Sequence, residues 1–162
     1  MKIRDAHNAD APAIRDLVFG ILQSYGLSPD PAGTDQDLDD IEQSYVRGGG
    51  SFAVLVERGE IVGCYGLWRV DDQECELRKM YLGAAHRGKG LGRRLLEHAC
   101  QKAGDLGFVA MRLETAAVLK EAIALYRKIG FEPYCATHLS ARCDQAYRKI
   151  IKPPGPEGRV TR

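Results

Sequence analysis

The chain of 162 residues is 44% hydrophobic and carries a formal net charge of +1. That is enough apolar material for the core of one ordinary domain, and too little length for two. The near-neutral balance excludes a globally basic surface for nucleic acid or an anionic membrane, so any basic cluster is read as a local site.

In chain order, residues 2–5 read as a short strand. Asn8 or Asp10 caps a helix whose first turn tolerates Pro12, and Ile14, Leu17, Val18, Ile21, Leu22 and Tyr25 form one apolar stripe that stops before Gly26. Residues 28–33 are a loop by composition. An acidic helix is expected over 36–46, with Leu38, Ile41 and Tyr45 inward. Asp35, Asp37, Asp39, Asp40 and Glu42 crowd its N-terminal end, where the helix dipole favours them. That run reads either as a solvated face or as a rim attracting a cationic amine. Three glycines, 48 to 50, break the chain before a buried strand over 52–56. Turns at 58–60 and 71–73 join it to strands over 61–68 and 74–82, an antiparallel meander.

Past residue 90, Leu91, Leu95, Leu96, Ala99, Cys100, Ala103 and Leu106 recur at helical spacing until Gly107. A strand over 108–114 follows, and a right-handed crossover places it parallel to the strand over 74–82. Leu119, Ala122, Ile123, Tyr126 and Ile129 mark a further helix ended by Gly130. Residues 131–135 and 142–151 are the last strands. The domain therefore spans 1–152, and the Pro- and Gly-rich residues 153–162 read as a flexible tail. Five scattered cysteines, at 64, 75, 100, 135 and 143, predict reduced thiols in a cytoplasmic protein and no metal site. No signal peptide and no run of eighteen apolar residues is present, so no membrane association is expected.

Residues 80–94 join the strand to the helix through glycines 88, 90 and 92, flanked by Arg87, Lys89, Arg93 and Arg94. Glycines here allow backbone N–H groups to approach an anion, and the helix start adds unpaired donors and a partial positive charge. This is a phosphate cradle. Residues 83–90 fall one residue short of a P-loop, since Gly90 stands where the magnesium-binding hydroxyl must be. The dinucleotide fingerprint fails at Arg93, which replaces its last glycine. The pattern Arg/Gln-x-x-Gly-x-Gly/Ala is met in full by Arg87, Gly88, Lys89, Gly90, Leu91 and Gly92.

With that loop, the element order β, α, α, β, β, β, α, β, α, β, β over 1–151, and the Leu125-Tyr126-x-x-x-Gly130-Phe131 segment, the chain resembles the GNAT superfamily of acetyl-CoA-dependent N-acetyltransferases. The resemblance implies an α/β (α+β) GNAT fold, a mostly antiparallel sheet in which the parallel fourth and fifth strands splay apart. It implies acetyl-CoA as co-substrate, with Met80, Tyr81 and Leu82 along the pantetheine arm and Arg87, Gly88, Lys89, Gly90, Leu91, Gly92 and Arg93 around the pyrophosphate. Many relatives carry Asn seven residues before the tyrosine; here it is Leu119, so Thr115 or the backbone would have to hold the pantetheine.

Acetyl transfer to an amine needs a base and an acid. A lysine-like amine is neutral in about one molecule in 10³ at pH 7, a cost of roughly 4 to 5 kcal/mol, and a carboxylate offsets it by taking the proton. Glu76 holds the place of the histone acetyltransferases' base, and Glu114 that of the ribosomal-protein alanine acetyltransferases. A phenol near pKa 10 matches the leaving thiol, and Tyr126 is the candidate acid. His86 reads as a loop residue, and Tyr81 as core or acceptor wall. The acceptor reads as a small primary amine or amino-acid-like molecule. The alternatives are an N-terminal or lysine amine of a protein, or a non-catalytic acyl-CoA-binding module. The last strands often pair in this family, which admits a homodimer.

Overall fold

The computed structural model describes residues 1–151, so the tail expected from 153 lies outside the described residues. Strand β1 is Lys2–Asp5. A short 3-10 turn at Asn8–Asp10 leads into α1, Ala11–Ser24, with Pro12 in its first turn as expected. The meander follows as β2 (Ser51–Glu57), β3 (Glu60–Arg69) and β4 (Glu74–Leu82). Arg58 and Gly59, both at positive φ (50° and 80°), join β2 to β3 in the two-residue turn that suits twisted hairpins. The chain continues through α2 (Leu91–Asp105), β5 (Ala110–Thr115), α3 (Lys120–Ile129), β6 (Glu132–Pro133) and β7 (Gln145–Ile150). The last two strands are shorter than the expected 131–135 and 142–151.

The seven strands form one sheet in the order β1-β2-β3-β4-β5-β7-β6, antiparallel except where β4 meets β5. Each face buries a separate cluster. On one, Ile14, Val18 and Leu22 of α1 pack with Leu38, Ile41, Tyr45, Phe52 and Val54. On the other, Leu95, Leu96 and Ala99 of α2 pack with Leu55, Tyr65, Leu67, Leu77 and Tyr126. Each such side chain contributes roughly 1.5–3 kcal/mol on burial.

The acidic segment differs from the expected helix. It is a 3-10 turn at Gln36–Leu38 followed by a π-helical turn at Glu42–Val46. Its inward residues are as read, with Leu38, Ile41 and Tyr45 at 0–1% exposure. Asp35 and Asp37 turn inward to side-chain partners instead of facing solvent, while Asp40 accepts from Asn8 and, as a cap on the turn that follows, from the Gln43 N–H. All five cysteines are free; Cys64 and Cys75 are core residues, whereas Cys135 is exposed. Among the described residues no helix is long and apolar enough to cross a membrane.

Gly50 is a close-approach glycine, since a β-carbon there would lie 1.9 Å from the Leu67 carbonyl oxygen on β3. Gly50→Ala should therefore cost about 3 kcal/mol, a fall in Tm of roughly 10 °C by thermal denaturation.

Candidate active site

The cradle begins at Gly88 (φ +74°) and Gly90 (φ +78°), where a β-carbon would meet nothing within 4 Å. Backbone angle, not crowding, requires glycine there, and the space above them is open. Gly90 precedes α2, whose first helical bond runs from the Arg94 N–H to the Gly90 carbonyl at 3.1 Å. The N–H groups of Leu91, Gly92 and Arg93 thus have no intrahelical acceptor. Those of Gly88, Lys89 and Gly90 meet no protein acceptor among the described residues. These amides crowd the positive end of the helix dipole, a ready phosphate site. Arg87 is tied down: Nε donates to the Leu82 carbonyl (3.1 Å) and Nη1 to the Tyr25 hydroxyl (3.0 Å). His86 is a loop anchor, 2.6 Å from Glu57, whose carboxyl its hydrogen bond holds below the ordinary range.

Strands β4 and β5 pair in parallel only from Glu74↔Ala110 to Leu77↔Leu113. Beyond that they part. A bulge lies just past the fork, where Lys79 takes φ +52° and the register against β3 shifts. It reverses the strand's parity. Cys75 and Leu77 face the α2 cluster before it, Met80 and Leu82 after it, and Tyr81 joins the α1 cluster. From the fork to the cradle runs a cavity of about 970 Å³. Met80, Tyr81 and Leu82 line one wall, Glu114 and Thr115 the other, and Arg87, Gly88, Gly90, Gly92 and Arg93 the mouth. Tyr81 is therefore both core and cavity wall. Lys89 and Leu91 are not among the residues that line it.

Tyr126 reaches the cavity from α3 and is only 5% exposed. The helix ends with the N–H of Gly130 on the Arg127 carbonyl and that of Phe131 on the Tyr126 carbonyl. The Phe131 ring packs edge-on against Tyr126 at 5.8 Å, which explains physically why tyrosine, glycine and phenylalanine stand at this spacing. Burial pushes the Tyr126 phenol above its ordinary pKa. Its hydroxyl meets no protein partner among the described residues. Glu76 and Glu114 both line the cavity. The Glu76 oxygens face two guanidinium groups, Arg78 at 2.7 Å and Arg112 at 3.4 Å. Glu114 accepts one hydrogen bond, from the Ser140 N–H at 3.3 Å. Leu119 caps the start of α3 and presents an apolar wall beside Thr115.

The family model described as Acetyltransferase (GNAT) family matches residues 17–131. The chain belongs to this family. Among similar proteins, the uncharacterized N-acetyltransferase YjgM of Escherichia coli is 42% identical over 128 residues, 76% of this chain and 77% of that protein. Human N-acetyltransferase 8 is 31% identical over 102 residues, covering 59% of this chain and 45% of its own length. A GNAT acetyltransferase structure from Staphylococcus aureus Mu50 superposes with a TM-score of 0.87 at 21% identity, covering 93% of this chain and 99% of that one. The yncA protein of Salmonella typhimurium, solved with its cofactor acetyl-CoA, gives 0.72 at 23% identity over 98% of each chain.

In this GNAT acetyltransferase the bulge is held by a charge cluster that sequence reasoning missed. The Lys79 ammonium, 5% exposed, lies 3.0 Å from Asp35 and 3.3 Å from Asp37 and donates to the Thr34 carbonyl at 3.1 Å. Arg142 grips Asp35 with both Nη atoms, at 2.8 and 2.6 Å, and the Tyr45 hydroxyl donates to Asp37. The cluster ties the 28–38 loop and the segment before β7 across the cavity. The available signal was a lysine inside a strand, alternating with the apolar Leu77 and Tyr81. Burial alone would raise the Asp35 carboxyl, but Arg142, the Asp30 N–H and Lys79 outweigh it and hold it at about 2. With 3.8 as the ordinary value, this group's contribution is complete above pH 4 and disappears as pH falls through about 2. Asp35→Asn should cost about 3–5 kcal/mol at pH 7, because two cations stay buried. Urea titrations at pH 7, 4 and 2.5 should also show that the variant lacks this acid-dependent loss.

Proposed function

We propose that the chain transfers an acetyl group from acetyl-CoA directly to the primary amine of a small molecule. One observation carries this reading: a single cavity joins a cluster of unpaired amides at the start of α2 to Tyr126 and Glu114 through the β4/β5 fork. The residues fit acetyl-CoA. The cradle offers backbone donors and open space to a diphosphate, and the β4 edge past Leu77 lacks a strand neighbour on the β5 side, so it can pair with an extended pantetheine arm. Bound there, acetyl-CoA would supply the thioester. Fork-facing N–H groups of the Met80 to Leu82 segment would hold its carbonyl oxygen, and Arg93 would add charge at the mouth.

Tyr126 is assigned as the acid that protonates the leaving sulfur; burial favours its protonated form at neutral pH. Glu114 is favoured over Glu76 as the base that takes the amine proton, directly or through water, because both Glu76 oxygens already face guanidinium groups. A small acceptor is supported by Gly33, Thr34, Gln36 and Asp37, which bring the 28–38 loop to line the same cavity as Tyr126 and Glu114.

A thiol-release screen with acetyl-CoA against amino acids, polyamines, aminoglycosides and short peptides tests the reading. Release with small amines supports it. Release with peptides alone moves the acceptor to proteins, and tight acetyl-CoA binding without release leaves a non-catalytic module. Tyr126→Phe should keep acetyl-CoA affinity within about twofold while cutting kcat tens-fold or more. Unchanged kcat removes it as the acid. Gly90→Ala forces a side chain into the left-handed region at roughly 1 kcal/mol, and calorimetry should show acetyl-CoA binding about fivefold weaker.

A further inference from the structure

Leu77↔Leu113 is the last parallel rung before the fork. The next rung would set Arg78 opposite Glu114, and strand alternation puts both on the side where Glu76 meets Arg112. Arg78 and Glu114 are thus the first residues past the split, one on each wall, opposite in charge, and both line the cavity. In a continuous sheet they would be cross-strand partners. Here the strands have parted, and each is held by something else: Arg78 Nε donates to Glu76 at 2.7 Å, and Glu114 accepts from the Ser140 N–H at 3.3 Å.

The manner of holding leaves the working edge of Arg78 open. Its guanidinium carbon sits over the Trp68 ring, 4.2 Å from the centroid, and its inner nitrogen is spent on Glu76. Among the described residues neither outer Nη group has a protein acceptor. A plain ion pair would commonly engage those outer groups, as Arg142 does with Asp35. The contact with Trp68 and the Nε bond instead hold the group from its inner side and leave both Nη groups as donors, a pair that can meet a carboxylate bidentately. Lys79 and Arg142 are already committed to Asp35 and Asp37, whereas the outer donors of Arg78 have no protein acceptor among the described residues.

Resting on the acetyl-transfer reading above, we infer that the acceptor is a free amino acid, whose carboxylate is bound by the outer edge of Arg78 and whose amine is directed at Glu114 across the β4/β5 fork. The carboxylate and the amine of one zwitterion meet the cation and the anion that the fork keeps apart. In the transfer the bond from amine nitrogen to acetyl carbon forms and the carbon–sulfur bond breaks. Of the two protons the ammonium loses, one passes to Glu114 and on to solvent. The other replaces the proton that Tyr126 gives to sulfur. The product is an N-acetylamino acid. A protein lysine or an amine without a carboxylate leaves the Arg78 edge unfilled.

The test is thiol release by the purified full chain with acetyl-CoA, comparing L-amino acids with their carboxamides, their decarboxylated amines and short peptides. The expected result is kcat/KM about 100-fold or more higher for at least one amino acid than for its carboxamide. Arg78→Met, which keeps a stem over Trp68, should raise KM for that amino acid about 10- to 100-fold, leave kcat within a few-fold, and shrink the acid-over-amide preference. Arg78→Lys should recover part of the KM. Unchanged acetyl-CoA affinity in both variants shows an intact cradle; if Arg78→Met does not fold, the acid-against-amide comparison on the unaltered chain decides alone. Carboxamides, amines or peptides used as well as the amino acids overturn the inference while sustaining acetyl transfer, as does an unchanged KM in Arg78→Met. No release with any amine overturns acetyl transfer itself and the inference with it.

Discussion

The buried ammonium of Lys79 between Asp35 and Asp37 is the constraint on which the rest of the site depends. A lysine in the left-handed region costs roughly 1–2 kcal/mol, and an unpaired charge at that depth would cost several more. Two carboxylates and the Thr34 carbonyl receive it, and Arg142 brings the cluster to two positive and two negative charges. The bulge survives because this environment over-determines it. Its consequence is geometric. Parity reverses along β4, Met80 and Leu82 turn into the α2 cluster, and the strand leaves β5 after Leu77. The same cluster fastens the loop before Leu38 and the segment before β7, so the fork and these two segments are held by one set of ion pairs.

The two helix ends at the cavity have complementary tasks. The start of α2 necessarily leaves donors without partners, and the fold turns them toward open space rather than capping them with a side chain. The end of α3 is closed tightly, with Gly130 in the left-handed conformation and Phe131 against Tyr126, so the phenol is fixed in place by packing. Burial that holds the ring also keeps its hydroxyl protonated, since removing water disfavours the phenolate. Unpaired amides facing open space and a buried, protonated phenol thus come from the ordinary physics of one helix N-terminus and one helix C-terminus.

Charges around the cavity divide by whether their hydrogen-bonding capacity is exhausted. Asp35 is wholly enclosed, and its partners use it fully. Arg78 is half-buried, oriented by Trp68 and Glu76, and keeps its outer donors. The division follows from position: charges beneath the loop must be matched inside the protein, whereas those at the fork face space that a ligand can fill.

The cradle, the antiparallel meander and the Tyr126-to-Phe131 segment were legible in the sequence, because glycine backbone freedom, turn chemistry and apolar spacing act over a few residues. The inward set Leu38, Ile41 and Tyr45 was also legible, although the regular helix around it was not. What only the tertiary structure decided was where the charges go. Asp35 in its acidic run looks like a solvated helix start, yet it meets Arg142, 107 residues away. Lys79 meets Thr34 over a separation of 45. Pairings at that distance depend on which strands lie side by side and where one of them bulges. The splay of the fourth and fifth strands was expected from the family resemblance, but the bulge, the ion pairs behind it and the free edge of Arg78 appear only once the chain is folded.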